Sequence, residues 1–407
     1  MALDLAETAL QLDTMAVGLK NSVNDTNMRS ESASTLLEDF NAKDFEARID
    51  LSSKVFNWSA PSFPLRPAES IATSDNPVDY LAIGVDGSHI DINRHIPVRC
   101  FLINTGVARL RYGGNPNAYL SSTPHLFSGL TDTAIFDKSN INRSIPIQGS
   151  ILGAVRTVEE IKTLATALEN IDPVESQLPV IGLVDGTLVM LDLLRAGIPD
   201  YVIRNILDDG FLTALNKIRQ MSKNRKVVIA SYISLPGSTE VMDGIRLLGC
   251  PYPKSDCLQH CGTRSSSERP CDAYALGLLD RDVFAKRLSR GQRTEIFGSS
   301  SELVKSYYRE NEVKFFYVNT GDEIARVEMP KWVAEDESSV SLVHSLVVEQ
   351  CKLGSGYPAC LMEAHEQAVI STSDRSYFLN LVEEVLEGQD MRFYTSRKDH
   401  SKRIRWL

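Results

Sequence analysis

The sequence predicts an α/β protein in which helices flank a mixed sheet of three antiparallel strands plus parallel strands. Three observations support this prediction. Short apolar runs, of the kind that form buried strands, end at residues 85 and 184. Apolar residues three and four apart at about 151–170 predict an amphipathic helix between them. A second helix, 201–221, precedes another apolar run at 226–232, and such alternation favours parallel pairing.

The first part of the chain, residues 1–75, is expected to form a helical N-terminal arm. Leu, Ala and Met recur there at helical spacing in two stretches, and a Pro-rich segment ends the arm. Residues 76–407 are expected to form one α/β domain. A segment rich in Cys, Pro and Gly, at about 237–293, is interpreted as an insertion in that domain.

The α/β domain is predicted to open with an antiparallel meander. Thr105 and Gly106 are predicted to form a tight turn between its second and third strands, and the three strands are 80–85, 98–104 and 107–112. With the helices and apolar runs that follow, the order becomes β-β-β-α-β-α-β. That is the order of the ribonuclease-H-like fold, in which three antiparallel strands continue into parallel ones.

The charge balance limits the functions that are possible. A net charge of −10 argues against a protein that coats nucleic acid through bulk positive potential. The charge is uneven, however, because the last seventeen residues contain six Lys or Arg and one Asp. Arg397 and Lys398 in this tail are candidate contacts to a DNA substrate, and a solvated basic tail is the alternative.

Two features of the sequence indicate the compartment of the protein. No apolar run is long enough to cross a membrane and no basic signal region opens the chain, so we expect a cytoplasmic protein without membrane association. An odd number of cysteines, seven, suits a reducing compartment.

Four of the cysteines, with His260 among them, offer soft ligands for one Zn²⁺ or an iron–sulfur cluster: Cys250, Cys257, Cys261 and Cys271. Free thiols are the alternative.

Two Asp-Gly pairs carry the clearest chemical signal. Asp86-Gly87 and Asp185-Gly186 each follow an apolar run, and each Asp is expected to close a strand. If the first and fourth strands are neighbours, the two carboxylates meet in one pocket, where a divalent cation would offset their repulsion. The alternative is that Asp-Gly is a common turn pair.

The intervening helix supplies a third acid, either Glu159 or Glu160, and helical periodicity does not choose between them. Together with Asp86 and Asp185, one of them would complete a plausible site for Mg²⁺ or Mn²⁺. A metal held in this way can activate water and stabilise the charge that develops on a phosphodiester.

The chain resembles the NurA nuclease family, which comprises metal-dependent DNA end-processing enzymes with a ribonuclease-H-like core. The resemblance runs from about residue 80 to the C-terminus. Six segments carry it: IGVDGS (83–88), RTVEEI (156–161), LVDGTL (183–188), SYIS (231–234), RVEMP (326–330) and YPACLMEAHEQA (357–368).

This resemblance implies roles for individual residues. The spacing from Arg156 favours Glu160 over Glu159 as the third acid, beside Asp86 and Asp185. The resemblance also implies that His365 belongs to the active centre, where it ligates metal or handles a proton. Tyr232, after the fifth strand, could orient substrate, and a core tyrosine is the alternative.

The resemblance further implies an activity and partners. The expected reaction is 5′ to 3′ resection of single- and double-stranded DNA ends in double-strand break repair by homologous recombination, with Mn²⁺ or Mg²⁺ as cofactor. The expected assembly is a homodimer that works with a HerA-type hexameric ATPase.

Two other readings of the same residues remain open. A nuclease-like scaffold could bind DNA or the ATPase without cutting. Asp-Gly-Ser/Thr after a strand also resembles the phosphate loops of actin-like and sugar-kinase ATPases. Those proteins need two copies of the fold, whereas both Asp-Gly pairs of this chain fall within one β-β-β-α-β unit.

Overall fold

The structure is a computed structural model that describes residues 4–52, 61–91, 99–194, 197–262 and 268–389. The chain divides into two compact units. The first comprises Met1–Ser74, Ile233–Lys305 and Glu312–Met329, and the second comprises Asp75–Tyr232, Ser306–Asn311 and Pro330–Leu407. The predicted arm, residues 1–75, and the predicted insertion, about 237–293, both fall essentially within the first unit.

The helices and strands are numbered in chain order. The α-helices are α1 (Leu5–Glu38), α2 (Ala42–Ser52), α3 (Ser150–Glu169), α4 (Asp200–Ile203), α5 (Thr213–Ser222), α6 (Glu240–Leu248), α7 (Cys257–Cys261), α8 (Asp272–Ala275), α9 (Asp280–Phe284), α10 (Lys331–Ala334), α11 (Glu337–Leu353), α12 (Ala359–Ala368) and α13 (Thr372–Glu387). The strands are β1 (Ser70–Ile71), β2 (Tyr80–Asp91), β3 (Cys100–Tyr112), β4 (Asn117–Ser128), β5 (Ala134–Asp137), β6 (Asn140–Pro146), β7 (Val180–Asp185), β8 (Val227–Ile233), β9 (Arg293–Thr294), β10 (Phe297–Gly298), β11 (Val313–Asn319) and β12 (Ile324–Pro330). A π-helical segment, Arg204–Leu212, joins α4 to α5.

The sheet of the second unit has the order β8-β7-β2-β3-β4. β2, β3 and β4 pair antiparallel, and β2, β7 and β8 pair parallel. α3 connects the antiparallel part to β7, and the helical run that ends with α5 connects β7 to β8. The predicted fold class, an α/β mixed sheet of three antiparallel strands plus parallel strands flanked by helices, is confirmed.

The predicted turn at Thr105 and Gly106 is wrong, because both residues lie inside one continuous strand, β3, which replaces the predicted pair of strands 98–104 and 107–112. Gly106 pairs with Asp86 of β2 in the middle of that strand. The glycine serves a packing contact instead: a Cβ at residue 106 would overlap the carbonyl of Ala364 in α12. A glycine that admits a close helix looks the same in sequence as one that forms a turn.

Two further strand boundaries differ from the prediction. The third strand of the meander is β4, whose residues are mostly exposed, so it lacks the alternation that marks a half-buried strand. β2 does not end at Asp86 but continues to Asp91, because Ser88–Asp91 stay paired with β3. Asp185, in contrast, is the last residue of β7 as predicted.

The sheet of the first unit has the order β1-β9-β11-β12, and β10 pairs with β11. Its core joins α1 and α6 to aromatic residues of the strands and of α9, among them Phe284, Phe297, Phe315 and Tyr317. None of the helices within the described ranges combines the length and apolar character needed to cross a bilayer.

Candidate active site

Helix α12 lies unusually close to the sheet of the second unit because two glycines face it. A Cβ at Gly84 would overlap the carbonyl of Cys360, and a Cβ at Gly106 would overlap that of Ala364. This contact sets His365 of α12 above Asp86 of β2, with Nδ1 of His365 2.7 Å from Oδ2 of Asp86. The imidazole is 60% exposed and the carboxylate only 15%, so the histidine covers the acid and still faces solvent.

Asp185 lies beside Asp86 at the end of β7. The parallel register pairs Val85 with Val184, so the two acids are the next residues of neighbouring strands. Gly186 has a φ of +85°, a left-handed conformation that turns the chain away directly after Asp185. The pair of acids is therefore brought together as the two Asp-Gly motifs predicted.

Tyr357, which precedes α12, hydrogen-bonds to Asp185 and is not among the predicted site residues. Desolvation of the carboxyl group and the charge of Asp86 raise the pKa of Asp185, while a hydrogen bond from the Tyr357 hydroxyl opposes that rise. Burial and the charge of Asp185 in turn raise the pKa of Tyr357. The tyrosine opens the last of the six segments that resemble NurA, and this position was the available signal.

Glu160 approaches from the opposite face of the sheet. Successive residues of a strand point to opposite faces. Gly84 faces α12, so Gly87 faces α3, and a Cβ at residue 87 would lie 2.6 Å from Oε1 of Glu160. Glu160 is buried, and Nε of Arg156 lies 3.1 Å from its Oε1.

The charge state of Glu160 reflects its surroundings. Burial raises the pKa of Glu160 to about 8, Asp86 and Asp185 add to the rise, and Arg156 opposes it. Glu159 has different surroundings, since its carboxylate binds Nζ of Lys162 at 2.8 Å. The structure therefore brings Glu160, and not Glu159, into electrostatic contact with the two aspartates.

The donor set fits a divalent cation in chemistry. As the side chains stand, the described part of the chain has no cluster of three or more His, Cys, Asp or Glu that could hold a metal ion. His365 engages Asp86, Tyr357 engages Asp185, and Glu160 comes from the other face. Oε1 of Glu160 is buried and ion-paired with Arg156 but makes no hydrogen bond, so it is an oxygen donor that a cation could use together with the two aspartates.

The remaining predicted site residues lie elsewhere. Tyr232 is fully buried, and its ring packs edge to face on Tyr357, with centroids 5.4 Å apart. This is the surrounding expected of the core alternative. Arg397 and Lys398 fall outside the described residues. The four clustered cysteines belong to the first unit.

Comparisons with known proteins identify proteins that are similar to this chain. The family model described as the NurA domain matches residues 80–370. A crystal structure of NurA is 14% identical over 78% of this chain and 91% of the other, with a TM-score of 0.35. A NurA structure bound to dAMP and manganese is 12% identical over 77% and 89%, with a TM-score of 0.33. No curated protein matches the chain. Because the family model covers well over half of the sequence, the chain belongs to the NurA domain family.

Proposed function

We propose that this protein is a divalent-metal-dependent DNA nuclease that hydrolyses phosphodiester bonds. Membership of the NurA domain family supports a nuclease-type role. The observation that carries the proposal is the grouping of Asp86, Asp185 and Glu160, whose charges act on one another, with His365 above Asp86. Three carboxylates whose charges act on one another repel, and proteins commonly relieve such repulsion with a divalent cation.

Asp86, Asp185 and Glu160 would hold Mn²⁺ or Mg²⁺, with His365 as a further ligand or as the proton carrier. The bound ion would supply an activated water and stabilise the charge on the phosphodiester. Asp86 and Asp185 present oxygen atoms on the face covered by α12. Glu160 adds a buried carboxylate whose Oε1 is ion-paired with Arg156 and makes no hydrogen bond.

His365 is suited to proton transfer by its orientation. Its Nδ1 faces Oδ2 of Asp86 at 2.7 Å, which favours the tautomer that donates from Nδ1 to the carboxylate. Nε2 is then the nitrogen that can accept or return a proton at the reacting phosphate. Asp86 holds the ring in place, and exposure of the ring gives substrate access to it.

The finer features of the proposal follow the family. We expect 5′ to 3′ resection of single- and double-stranded DNA in double-strand break repair, in the cytoplasm, by a homodimer that works with a HerA-type ATPase. Arg397 and Lys398 are proposed to contact DNA phosphates. Tyr232 is proposed to pack against Tyr357 rather than to contact substrate.

The direct test uses the purified full-length chain and linear DNA labelled at either the 5′ or the 3′ end. We expect cleavage with Mn²⁺ or Mg²⁺, release of the 5′ label first, and no cleavage with a chelator. Restored cleavage after the metal is added back would separate metal dependence from damage by the chelator. DNA binding without cleavage under every metal condition would contradict the proposal and favour the non-catalytic scaffold.

A further inference from the structure

Four of the seven cysteines converge on one small cavity in the first unit. Cys250 follows α6 closely, Cys257 and Cys261 begin and end α7, and Cys271 directly precedes α8. All four are free thiols, and all four line a cavity of about 20 Å³. Cys257 is close enough to the other three for their charges to act on it. The ends of three helices thus bring these sulfur atoms to one place.

The size of the cavity limits what it can hold. A cavity of about 20 Å³ admits roughly one water-sized particle. A single metal ion fits this space as it stands, whereas an iron–sulfur cluster, built from several iron and sulfide ions, would need a larger one. Zn²⁺ is the ion that proteins commonly hold with four cysteine thiolates in tetrahedral geometry.

Two guanidinium groups, those of Arg246 and Arg269, border the same cavity. Nη1 of Arg246 lies 3.5 Å from Sγ of Cys271 and 3.3 Å from Oδ1 of Asp272, and its Nη2 donates to the carbonyl of Ala275 at 3.1 Å. Burial raises the pKa of Cys271, and Arg246 opposes that rise. Zn²⁺ with four thiolates carries a formal charge of about −2, and Arg269 together with Arg246, which also pairs with Asp272, would offset part of it.

The ring of His260 also borders the cavity but already has a partner. It stacks on Tyr252 with ring centroids 4.1 Å apart and an angle of 7° between the planes. We propose that Cys250, Cys257, Cys261 and Cys271 form a structural site for one Zn²⁺. As they stand, the thiols are not yet arranged as metal ligands, so binding requires them to rotate into the cavity they already line.

The site would stabilise a part of the first unit that has little regular structure of its own. Among the described residues between Cys257 and Ala275, regular structure is limited to two short helices, α7 and α8. The residues between α6 and α7 also hold helix α2, since Arg48 donates to the carbonyl of Cys250 at 2.8 Å and the amide of Ser255 donates to Oγ of Ser52 at 2.9 Å. A metal that fixes the loop would therefore also fix the end of α2.

The test is metal analysis of the full-length chain, purified under reducing conditions without added metal. We expect about one Zn²⁺ per chain, and we expect Co²⁺ in its place to give the visible absorption of a tetrahedral thiolate site. C257S and C261S should each lose most of the bound zinc. C100A, which removes a buried thiol of β3 outside the group, should keep it.

The D86A variant separates this site from the proposed catalytic metal, because it should keep its zinc even if cleavage is lost. Four results would overturn the proposal. The first is a wild type that contains no zinc and gives no Co²⁺ spectrum, and the second is a zinc content in C257S and C261S equal to that of C100A. The third is an iron–sulfur absorption spectrum, and the fourth is the presence of disulfides among the four cysteines. If the serine variants fail to fold, the Co²⁺ spectrum of the wild type decides.

Discussion

Nδ1 of His365 lies 2.7 Å from Oδ2 of Asp86, although 279 positions separate the two residues in the chain. The contact depends on Gly84 and Gly106, which allow α12 to approach the sheet closely enough for its histidine to reach β2. The proposed active site is therefore a product of backbone packing as much as of its charged residues.

The first prediction concerns His365 itself. H365A should cut DNA about 10²–10⁴ times more slowly than the wild type, the usual contribution of a positioned acid or base. Single-turnover cleavage of end-labelled DNA measures the effect. E366A is the matched control, because Glu366 is the next residue of α12 and is exposed. Equal rates for H365A and E366A would show that the contact with Asp86 has no role in cleavage.

The second prediction concerns the glycines beneath α12. G106A should destabilise the protein by about 1–3 kcal/mol, because its Cβ would meet the backbone of α12, which cannot turn aside as a side chain can. Urea denaturation measures the loss. G114A, in the turn between β3 and β4, is the control, since its Cβ would find its nearest neighbour at 3.7 Å. The packing account fails if both variants are equally stable.

The third prediction separates the position of Glu160 from overall stability. G87A would place a Cβ 2.6 Å from Oε1 of Glu160 and so displace that carboxylate. We expect cleavage to fall about 10²-fold, the typical cost of a misplaced catalytic group, with a small change in melting temperature. G153A in α3, where the nearest atom to a Cβ is 3.9 Å away, should keep activity and gain up to about 1 kcal/mol of helix stability. Unchanged cleavage by G87A would remove Glu160 from the proposed site.

The fourth prediction concerns the pH dependence of stability. Burial raises the pKa of Asp280 to about 6, although Tyr317 and the amides of Val241 and Met242 donate hydrogen bonds to it. The folded state therefore binds the proton more tightly than the unfolded state, whose Asp has a pKa of about 3.9. Raising the pH from 4 to 6 should cost about 2 kcal/mol of folding free energy through this group, because Asp280 is half-titrated in the unfolded state near pH 4 and in the folded state near pH 6.

Urea denaturation of the wild type and D280N at several pH values checks the sign. The asparagine does not titrate, so the free energy of unfolding of the wild type minus that of D280N should fall as the pH rises from 4 to 6. A difference that stays constant, or that grows with pH, would contradict the raised pKa of Asp280.

Much of the fold could be predicted because buried strands and amphipathic helices leave patterns in the sequence. The runs that end at Val85 and Val184 are apolar because both strands are central, and the helix between them has a clear apolar face. β4 could not be predicted in this way, since its exposure removes the alternation. Gly106 misled the prediction because its role depends on a helix more than 250 residues away in the chain.

The candidate site could be predicted only in part. Asp86 and Asp185 each follow an apolar run and each precede a glycine, so local sequence was enough to pair them. The choice of Glu160 over Glu159 came from family resemblance. The structure adds the reason: Gly87 has no side chain, and the carboxylate of Glu160 occupies the space that one would fill. Tyr357 could not be identified, because only tertiary packing brings its hydroxyl to Asp185.

The most direct test of the proposed function is metal-dependent, single-turnover cleavage of end-labelled DNA by D86N and D185N. D91N is the matched control, because Asp91 ends the same strand as Asp86 and is exposed. With circular dichroism and oligomeric state unchanged, D86N and D185N should show no cleavage with Mn²⁺ or Mg²⁺, while D91N should cut like the wild type. Undiminished cleavage by both D86N and D185N would contradict the proposed active site.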